Sequence, residues 1–486
     1  MASEWESYTI EELASSEKSA LATGPFGSAI SAKFFVDAGF PVIRGSNLST
    51  LTSERMSDEG LVFVSDEKAA EFKRSVVRKG DLIFTCWGTI NQVGLIDSRC
   101  RYPEYIISNK QMKVTLDTSK ADPLFVYYYF SSPAKQREIL QNGIGAAVPG
   151  FNLGQLRSHT LRLPPLSLQK KISSFIDALD SKITLNRQIN QTLEQMAQTL
   201  FKSWFVDFDP VIDNALDAGF FEQDWPIPDE LQHRAEARKT VRESTGFKPL
   251  PDEVRQLFPD AFEESELGWA PKGWVVSTAG DEFTVKGGST PSTKNAEFWE
   301  GGDIHWTSPK DLSGKTDKIM LDTERKITSE GLRKITSGLL PENTVLMSSR
   351  APIGYLALAK IPVAVNQGYI AIPSTTRLSQ EYALYWLASS IDEIKGIAGG
   401  TTFAEISKKT FKSIQMTVPN EETIHMFSKL ASDYLDKISS NAKEVNTLTK
   451  LRDTLLPKLI SGELRLDDVE AAVEQETVSA EQQNER

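Results

Sequence analysis

The sequence predicts an α/β fold of the α+β kind, in which two globular domains are joined by two long antiparallel coiled-coil helices and the halves are related by a pseudo-twofold internal repeat. Three observations predict it. A stretch of about forty residues after Pro164 returns after Pro419 at a constant offset of 255 and without a gap. Each copy carries an apolar residue at nearly every seventh position, as a coiled-coil helix does. Before each copy stand roughly 150 residues in which strand and helix patterns interleave. A chain of 486 residues has ample length for several cores.

Taken in chain order, residues 1–163 form the first domain. Gly80-Asp-Leu-Ile-Phe-Thr85 reads as a buried strand, and the glycine of Gln92-Val-Gly-Leu-Ile as a tight turn into another. Val126-Tyr-Tyr-Tyr-Phe-Ser-Ser132 ends a helix, Gly143-Ile-Gly-Ala-Ala-Val is a glycine-rich loop, and a short helix leads to a last strand at His159–Leu163. Residues 164–206 are the central helix. Residues 207–270, rich in proline and acid, read as a long, partly ordered connector with one basic helical stretch at His233–Arg242. The second domain, residues 271–418, repeats the frame. Asn343-Thr-Val-Leu-Met-Ser348 and Pro352-Ile-Gly-Tyr-Leu match the first strand and turn, Leu384-Tyr-Trp-Leu-Ala-Ser-Ser390 the helix end, Ala398-Gly-Gly-Thr-Thr-Phe the loop, and Ser413–Val418 the last strand. The distal helix follows at 419–461, and the acidic tail 462–486 is expected to be mobile.

The two helices repeat each other residue by residue. Identical pairs include Ser173/Ser428, Lys182/Lys437, Ile183/Ile438, Asn186/Asn441, Thr192/Thr447, Leu193/Leu448 and Leu200/Leu455. Ile172, Leu179, Asn186, Leu193 and Leu200 make the central seam, with Ile176, Ile183, Ala197 and Trp204 beside it. The distal seam is Phe427, Tyr434, Asn441, Leu448 and Leu455, flanked by Leu430, Ile438, Val445, Leu451 and Leu459. A proline ahead of each copy suits a helix start. Asn186 and Asn441 hold the same repeat position near mid-helix, and in an antiparallel pair two such amides could meet and fix register. Phe201, Trp204 and Phe205 read as a cap on the helix pair ahead of an edge for a partner.

Charge and chemistry narrow the function. The formal net charge is −12, but Asp207–Glu230 alone carries −8 and residues 462–486 carry −6, which leaves the rest at +2 and removes the charge objection to nucleic acid. Two cysteines, Cys86 and Cys100, exclude a disulfide framework and point to a reducing cytoplasm. No apolar run has the length of a membrane span, and the first residues lack the pattern of an export signal. Gly314-Lys-Thr has Pro309 where a phosphate loop needs glycine. His159, His233, His305 and His425 show no metal-ligand spacing. Asp207-Phe-Asp-Pro210 superficially resembles the catalytic tetrapeptide of amino-methyltransferases but lacks its second proline and its stacking aromatic.

The arrangement resembles the specificity subunit of Type I restriction–modification systems over essentially the whole chain. The cues are Leu163-Pro-Pro-Leu-Ser-Leu-Gln-Lys-Lys-Ile with Leu179-Asp-Ser-Lys-Ile183, and Leu451-Arg-Asp-Thr-Leu-Leu-Pro-Lys-Leu-Ile-Ser-Gly-Glu-Leu464. Others are Phe258-Pro-Asp-Ala-Phe-Glu-Glu-Ser-Glu-Leu-Gly before Pro271-Lys-Gly-Trp274, Gly287-Gly-Ser-Thr-Pro-Ser, and Phe298-Trp-Glu-Gly-Gly-Asp-Ile-His-Trp306. The first domain departs from the Gly-x-Thr-Pro opening with Gly24-Pro-Phe-Gly-Ser28.

The resemblance implies that each globular domain is a target recognition domain reading one half of a split double-stranded DNA sequence. It implies that the helices are a spacer and a platform for two modification (methyltransferase) subunits, to which restriction (nuclease-translocase) subunits add. It also implies no catalytic centre and no cofactor on this chain, with S-adenosylmethionine, ATP and Mg on the partner subunits. Base readout needs donors and acceptors on loops. The candidates in the first domain are Ser28, Arg44, Trp87, Asn91, Lys110 and Gln111, with a core role expected for Trp87 ahead of base contact. In the second they are Ser289, Thr290, Lys294, Ser308, Lys310, Ser349, Arg350 and Gln367. The alternative reading is a non-catalytic coiled-coil scaffold that binds only protein.

Overall fold

The computed structural model describes residues 5–144, 150–223, 226–315, 317–399, 404–469 and 471. Residues 145–149 and 400–403 of the two glycine-rich loops, and most of the acidic tail, lie outside the described residues. The chain divides into two compact units, Met1–Leu185 with Val445–Arg486, and Asn186–Glu444. Each unit therefore owns one domain and one half of each long helix.

In the first unit the N-terminal strand Glu6–Thr9 pairs antiparallel with the last strand of the domain, Thr160–Leu163. The Thr9 side chain then caps the turn of helix Ile10–Leu13, with Glu12 reaching back to complete a capping box. Between these ends lie two four-stranded sheets. One runs in the order Leu21–Thr23, Gln111–Val114, Leu82–Thr85, Val93–Leu95; the other runs Val62–Val64, Phe40–Ile43, Glu104–Ile107, Val76–Arg78. The helix Pro123–Ser131 packs on the first sheet and buries Phe125, Val126, Tyr127, Tyr128 and Phe130.

The second unit repeats this frame. Val275–Thr278 pairs with Gln415–Val418, and Thr278 caps Ala279–Glu282 as Thr9 caps its own turn. A five-stranded sheet runs Phe283–Lys286, Tyr369–Thr375, Thr344–Ser348, Leu356–Ala359, Ile319–Met320, and a three-stranded sheet runs Arg325–Ile327, Ile304–Thr307, Ala364–Val365. Both expected strand pairs are present: Leu82 faces Leu95, and Val345 faces Leu358. Gly80 and Asn343, each two residues before its pair, both adopt positive φ, +94° and +62°. Gly94 differs from the expected turn. It lies inside its strand, where a Cβ would come within 2.6 Å of the Leu48 side chain, and the turn is made by Gly88 at φ +90°. The caps also move the helix match by one residue, since Asp122 and Ser379 cap through the N–H of Phe125 and Tyr382, which aligns Tyr128 with Tyr385.

The two long helices span Leu166–Phe205 and Glu421–Ser461. Inside each unit their halves run antiparallel. In the first, Asp180 binds Arg452, while Ile172 and Ile176 share a core with Leu456, Leu459 and Ile460. In the second, Asn190 binds Asn441 and Phe201 packs on Phe427. The seam departs from the heptad count at its middle. Asn441 donates to Asn190 Oδ1 at 2.9 Å rather than meeting Asn186, whose amide donates to Glu444 at 2.9 Å. Asn190 in turn donates to the Ile438 carbonyl at 3.2 Å. Leu451 is exposed, and Arg452 takes the buried place beside it. At the far end Phe201, Trp204 and Phe205 are buried against Phe427, Tyr382, Phe258 and Trp274, as a cap on the helix pair.

Two segments are more ordered than composition suggests. Residues 207–270 form helices Asp209–Asp217, Asp229–Arg242 and Asp252–Arg255 and a hairpin, Phe262–Ser265 with Gly268–Pro271. They add Val211, Ile212, Phe220, Leu231, Phe258 and Phe262 to the core of the second unit. The expected partly ordered connector fails because its acids are paired in space: Arg238 grips Asp213 at 2.9 and 2.7 Å, and Arg242 and Arg255 converge on Asp217. The start of the tail is likewise packed, with Leu466 and Val469 buried in the first unit's core.

Arg452 and Asp180 are both buried, and Asp180 otherwise holds only the Tyr128 hydroxyl at 2.9 Å among its described bonds. Breaking a buried pair by removing one partner costs about 3–5 kcal/mol. Arg452→Leu is expected to lower the unfolding free energy of the first unit, read from urea titration, by that order, and a loss below about 1 kcal/mol would show the pair to be dispensable.

Candidate nucleic-acid interface

In the first domain four loops meet at one end of the two sheets. Strand Phe40–Ile43 ends at Arg44, whose backbone N–H is held by Asn47 Oδ1 at 3.0 Å. The turn Ser108–Lys110 is bonded to both neighbours: Ser108 N–H donates to Ile43 O at 2.9 Å, and Cys86 N–H donates to Lys110 O at 2.7 Å. The fourth loop, Gly24–Ser28, lies on that turn so closely that a Cβ on Gly24 would stand 1.8 Å from Ser108 O. Asn109 Nδ2 ties the loop down through Gly27 O at 2.8 Å. Arg44, Trp87, Lys110 and Gln111 line one cleft with Ser46, Thr89, Gln92 and Asn109.

Four of the six candidates are thus brought together, and their roles separate. Trp87 is 52% exposed and stands over Gly150, where a Cβ would come within 2.7 Å of the ring. The expected core role fails because the chain turns at Gly88 immediately after the buried strand. Gln111 is fully buried and bonds Ser108 Oγ; with its oxygen toward Gly45 it accepts from that N–H at 3.0 Å, so it braces the loops from beneath. Ser28 is exposed on the adjoining loop, and Asn91 is half-buried outside the cleft lining. Phe26, which the sequence reading passed over, is 86% exposed at the tip of that loop. Its signal was the placing of an aromatic between two turn-forming residues, Pro25 and Gly27.

The second domain builds the same junction from other residues. A Cβ on Gly288 would stand 1.6 Å from Val365 O, so the Gly287–Thr290 loop rests on the 365–368 turn as Gly24 does on its own. Asn366 N–H donates to Thr307 O at 3.0 Å and Ser349 N–H to Gly368 O at 2.8 Å, the counterparts of the Ser108 and Cys86 bonds. Thr290 Oγ1 donates to Gln367 Oε1 at 2.8 Å, and Ser289 Oγ to Lys334 O at 3.0 Å. Trp87 and Arg350 are equivalent: each forms an isolated antiparallel bridge, to Gly150 and to Glu405, at the same place in the frame.

Ser308 caps the Pro309–Leu312 turn through Asp311, in the position that Arg44 holds before Gly45–Asn47. Lys310 is exposed and pairs with Glu324 at 3.0 Å; Arg350 lies 3.7 Å from Glu405. Exposed pairs of this kind contribute little, so either cation can exchange its carboxylate for a phosphate. Ser349 is buried. Lys294 stands on the turn before Ala296–Phe298, apart from these bonds. Among the described residues no group of three or more His, Cys, Asp or Glu side chains could hold a metal ion, and no helix is long and apolar enough to cross a membrane.

The family of Type I restriction modification DNA specificity domains matches residues 2–195 and 271–451, which is most of the chain. The chain belongs to that family. Its function is DNA sequence recognition within a Type I restriction–modification complex. Among curated relatives, the HindI specificity subunit of Haemophilus influenzae is 29% identical over 412 residues, covering 80% of this chain and 88% of that protein. The MjaIX specificity subunit of Methanocaldococcus jannaschii is 36% identical over 200 residues, covering 41% of this chain and 46% of that protein. In fold, the S subunit of a Type I system from M. genitalium aligns with a TM-score of 0.55 at 15% identity, covering 94% of this chain and 96% of that one.

For a DNA specificity chain the two glycines are the least replaceable loop residues. Gly288→Ala is expected to push its loop off the 365–368 turn and weaken specific duplex binding about tenfold or more, since a displaced loop misplaces every group it carries. Gly396→Ala, where a Cβ meets nothing within 4 Å and φ is not positive, should cost far less. Binding isotherms at one fixed salt concentration compare the two, and equal affinities would remove the loop contact from the argument.

Proposed function

We propose that the chain reads a bipartite DNA target, one half-site with each loop junction, and that it does so without chemistry of its own. Modification subunits dock along the helix pair and nuclease-translocase subunits add to them; S-adenosylmethionine, ATP and Mg belong to those partners. The observation that carries this reading is the doubled loop junction: one backbone frame, occurring twice, presents unlike side chains at matching places. Trp87 stands where Arg350 stands, and Arg44 where Ser308 stands. A shared frame with divergent tips suits two readers of different base sequences, because groove-edge readout depends on which donors, acceptors and apolar surfaces the loops offer.

A non-catalytic role also fits the tetrapeptide Asp207–Pro210. Its Asp209 accepts from Ser203 Oγ at 2.7 Å, Asp207 pairs with Lys202, and Pro210 opens the next helix, so each residue is engaged in turning the chain. In this reading the helices act as the spacer, and their length sets the gap between half-sites.

Two measurements test it. Exchanging residues 1–163 for another first domain should change one half of the modified sequence and leave the other intact. Inserting one heptad beside Leu185 and another beside Val445 lengthens the pair by about 10 Å, and should widen the gap by about 3 base pairs at 3.4 Å each. Mapping of methylated sites across a genome reads both, and an unchanged gap would sink the spacer role.

A further inference from the structure

Each domain is held to the central helix by a cation, buried in the first and half-buried in the second, and by a buried tyrosine, none of them at the loop junctions. In the first, Arg55 donates to Asp97 at 2.7 Å, to the Tyr128 hydroxyl at 2.9 Å and to Asp177 of the central helix. Tyr128 passes the chain of bonds on to Asp180 of the same helix at 2.9 Å, and Asp180 holds Arg452 of the distal helix. In the second, Lys318 Nζ donates to Glu194 of the central helix at 2.6 Å, and the Tyr385 hydroxyl reaches the other oxygen of Glu194 at 3.3 Å.

The two clamps sit at equivalent places. The carbonyl of Arg55 accepts from Leu95 N–H and that of Lys318 from Leu358 N–H, and Leu95 and Leu358 are the matched residues of the paired strands. The cap positions align Tyr128 with Tyr385. A further pair of matched bonds ties each domain helix to the long helix that follows it: Ser173 Oγ donates to Asp122 and Ser428 Oγ to Ser379, both at 2.7 Å. Those serines are one of the identical pairs of the helix repeat.

We infer that Arg55 with Tyr128, and Lys318 with Tyr385, are positioning residues that set the angle of each reader on the helix pair and so the selectivity for the number of base pairs between half-sites. The inference rests on the bipartite reading above. An apolar contact of the same area would hold a domain as firmly, but it tolerates sliding and rotation. An ion pair largely withdrawn from water tolerates neither, because a small shift leaves a charge without its partner. The planar fork of Arg55 engages three groups in different directions and fixes an orientation that a single contact cannot. Burial raises the pKa of both tyrosines, with Asp180 beside Tyr128 and Glu194 beside Tyr385 adding to it, so both hydroxyls stay protonated and donate.

The test uses the full chain in complex with its modification subunits, methylating duplexes that carry both half-sites at the natural gap and at gaps shifted by one or two base pairs. For Lys318→Met and Tyr385→Phe the preference for the natural gap should fall about five- to tenfold, as expected when a coupled pair is lost, while base preferences within each half-site stay as in the wild type. Lys318→Arg should restore most of the gap preference. If Lys318→Met does not fold, Tyr385→Phe, which removes one hydroxyl, decides alone. Unchanged gap preference in Tyr385→Phe would overturn the inference, as would a loss of base preference in step with gap preference. A wild-type complex indifferent to the gap would instead remove the bipartite reading on which the clamp depends.

Discussion

The polar groups buried between the two long helices are the constraint from which the rest of the structure follows. An apolar seam of leucines can slip by a heptad at little cost, but an amide or carboxylate taken out of water must find its partner at one register. Here the middle of the seam is polar. In one unit Asn441, Asn190 and the Ile438 carbonyl are bonded to one another, Asn190 also reaches Asp317, and Asn186 donates to Glu444. In the other, Asp180 accepts from Arg452 and Tyr128. Antiparallel alignment and register are thus written in hydrogen bonds, while the apolar residues toward the ends, Ile172 and Ile176 in one unit and Phe201 and Trp204 in the other, join the cores of the domains.

A second constraint governs the loops. In both domains the end of a strand, a turn and an opening loop are locked by backbone bonds at matched places, and a glycine is pressed onto a carbonyl where no side chain fits. Because those bonds use backbone atoms, they place few demands on side-chain identity. The tips are free to differ, and they do: an exposed tryptophan and phenylalanine mark one junction, an arginine and a threonine the other. Apolar rings suit contact with thymine methyl groups or a base step, and guanidinium suits guanine, which is why the proposed reading gives the two junctions different sequence preferences.

Much of this was legible in the chain itself. The offset repeat, the helix bounds and both strand pairs follow from periodicity, which local sequence carries directly. The missed features all depend on contacts between residues far apart in sequence. Asn190 was one turn from an expected asparagine and on the same face, but only the distal helix selects it over Asn186. The acids of 207–230 looked unbalanced until Arg238, Arg242 and Arg255 came beside them. Residue type favours a core role for Trp87 ahead of base contact, and the turn at Gly88 overrides that preference. Of the candidate contacts, Arg44, Trp87 and Lys110 converge on one cleft, and Thr290, Gln367 and Arg350 gather at the other junction, whereas Gln111 and Ser349 are buried beneath.

These two constraints divide the work between different atoms, and that division explains how specificity can change without loss of the fold. The helix pair and the domain clamps are held by buried side chains, Arg55, Tyr128, Asp180, Glu194 and Arg452 among them, where substitution leaves a charge or hydroxyl stranded. The loop tips are held by backbone bonds and turned toward water, where most substitutions cost within about 0.5 kcal/mol. A chain built this way loses stability where geometry is set and little at its loop tips. In the bipartite reading proposed above, the recognition sequence would drift one half at a time on a scaffold that stays fixed.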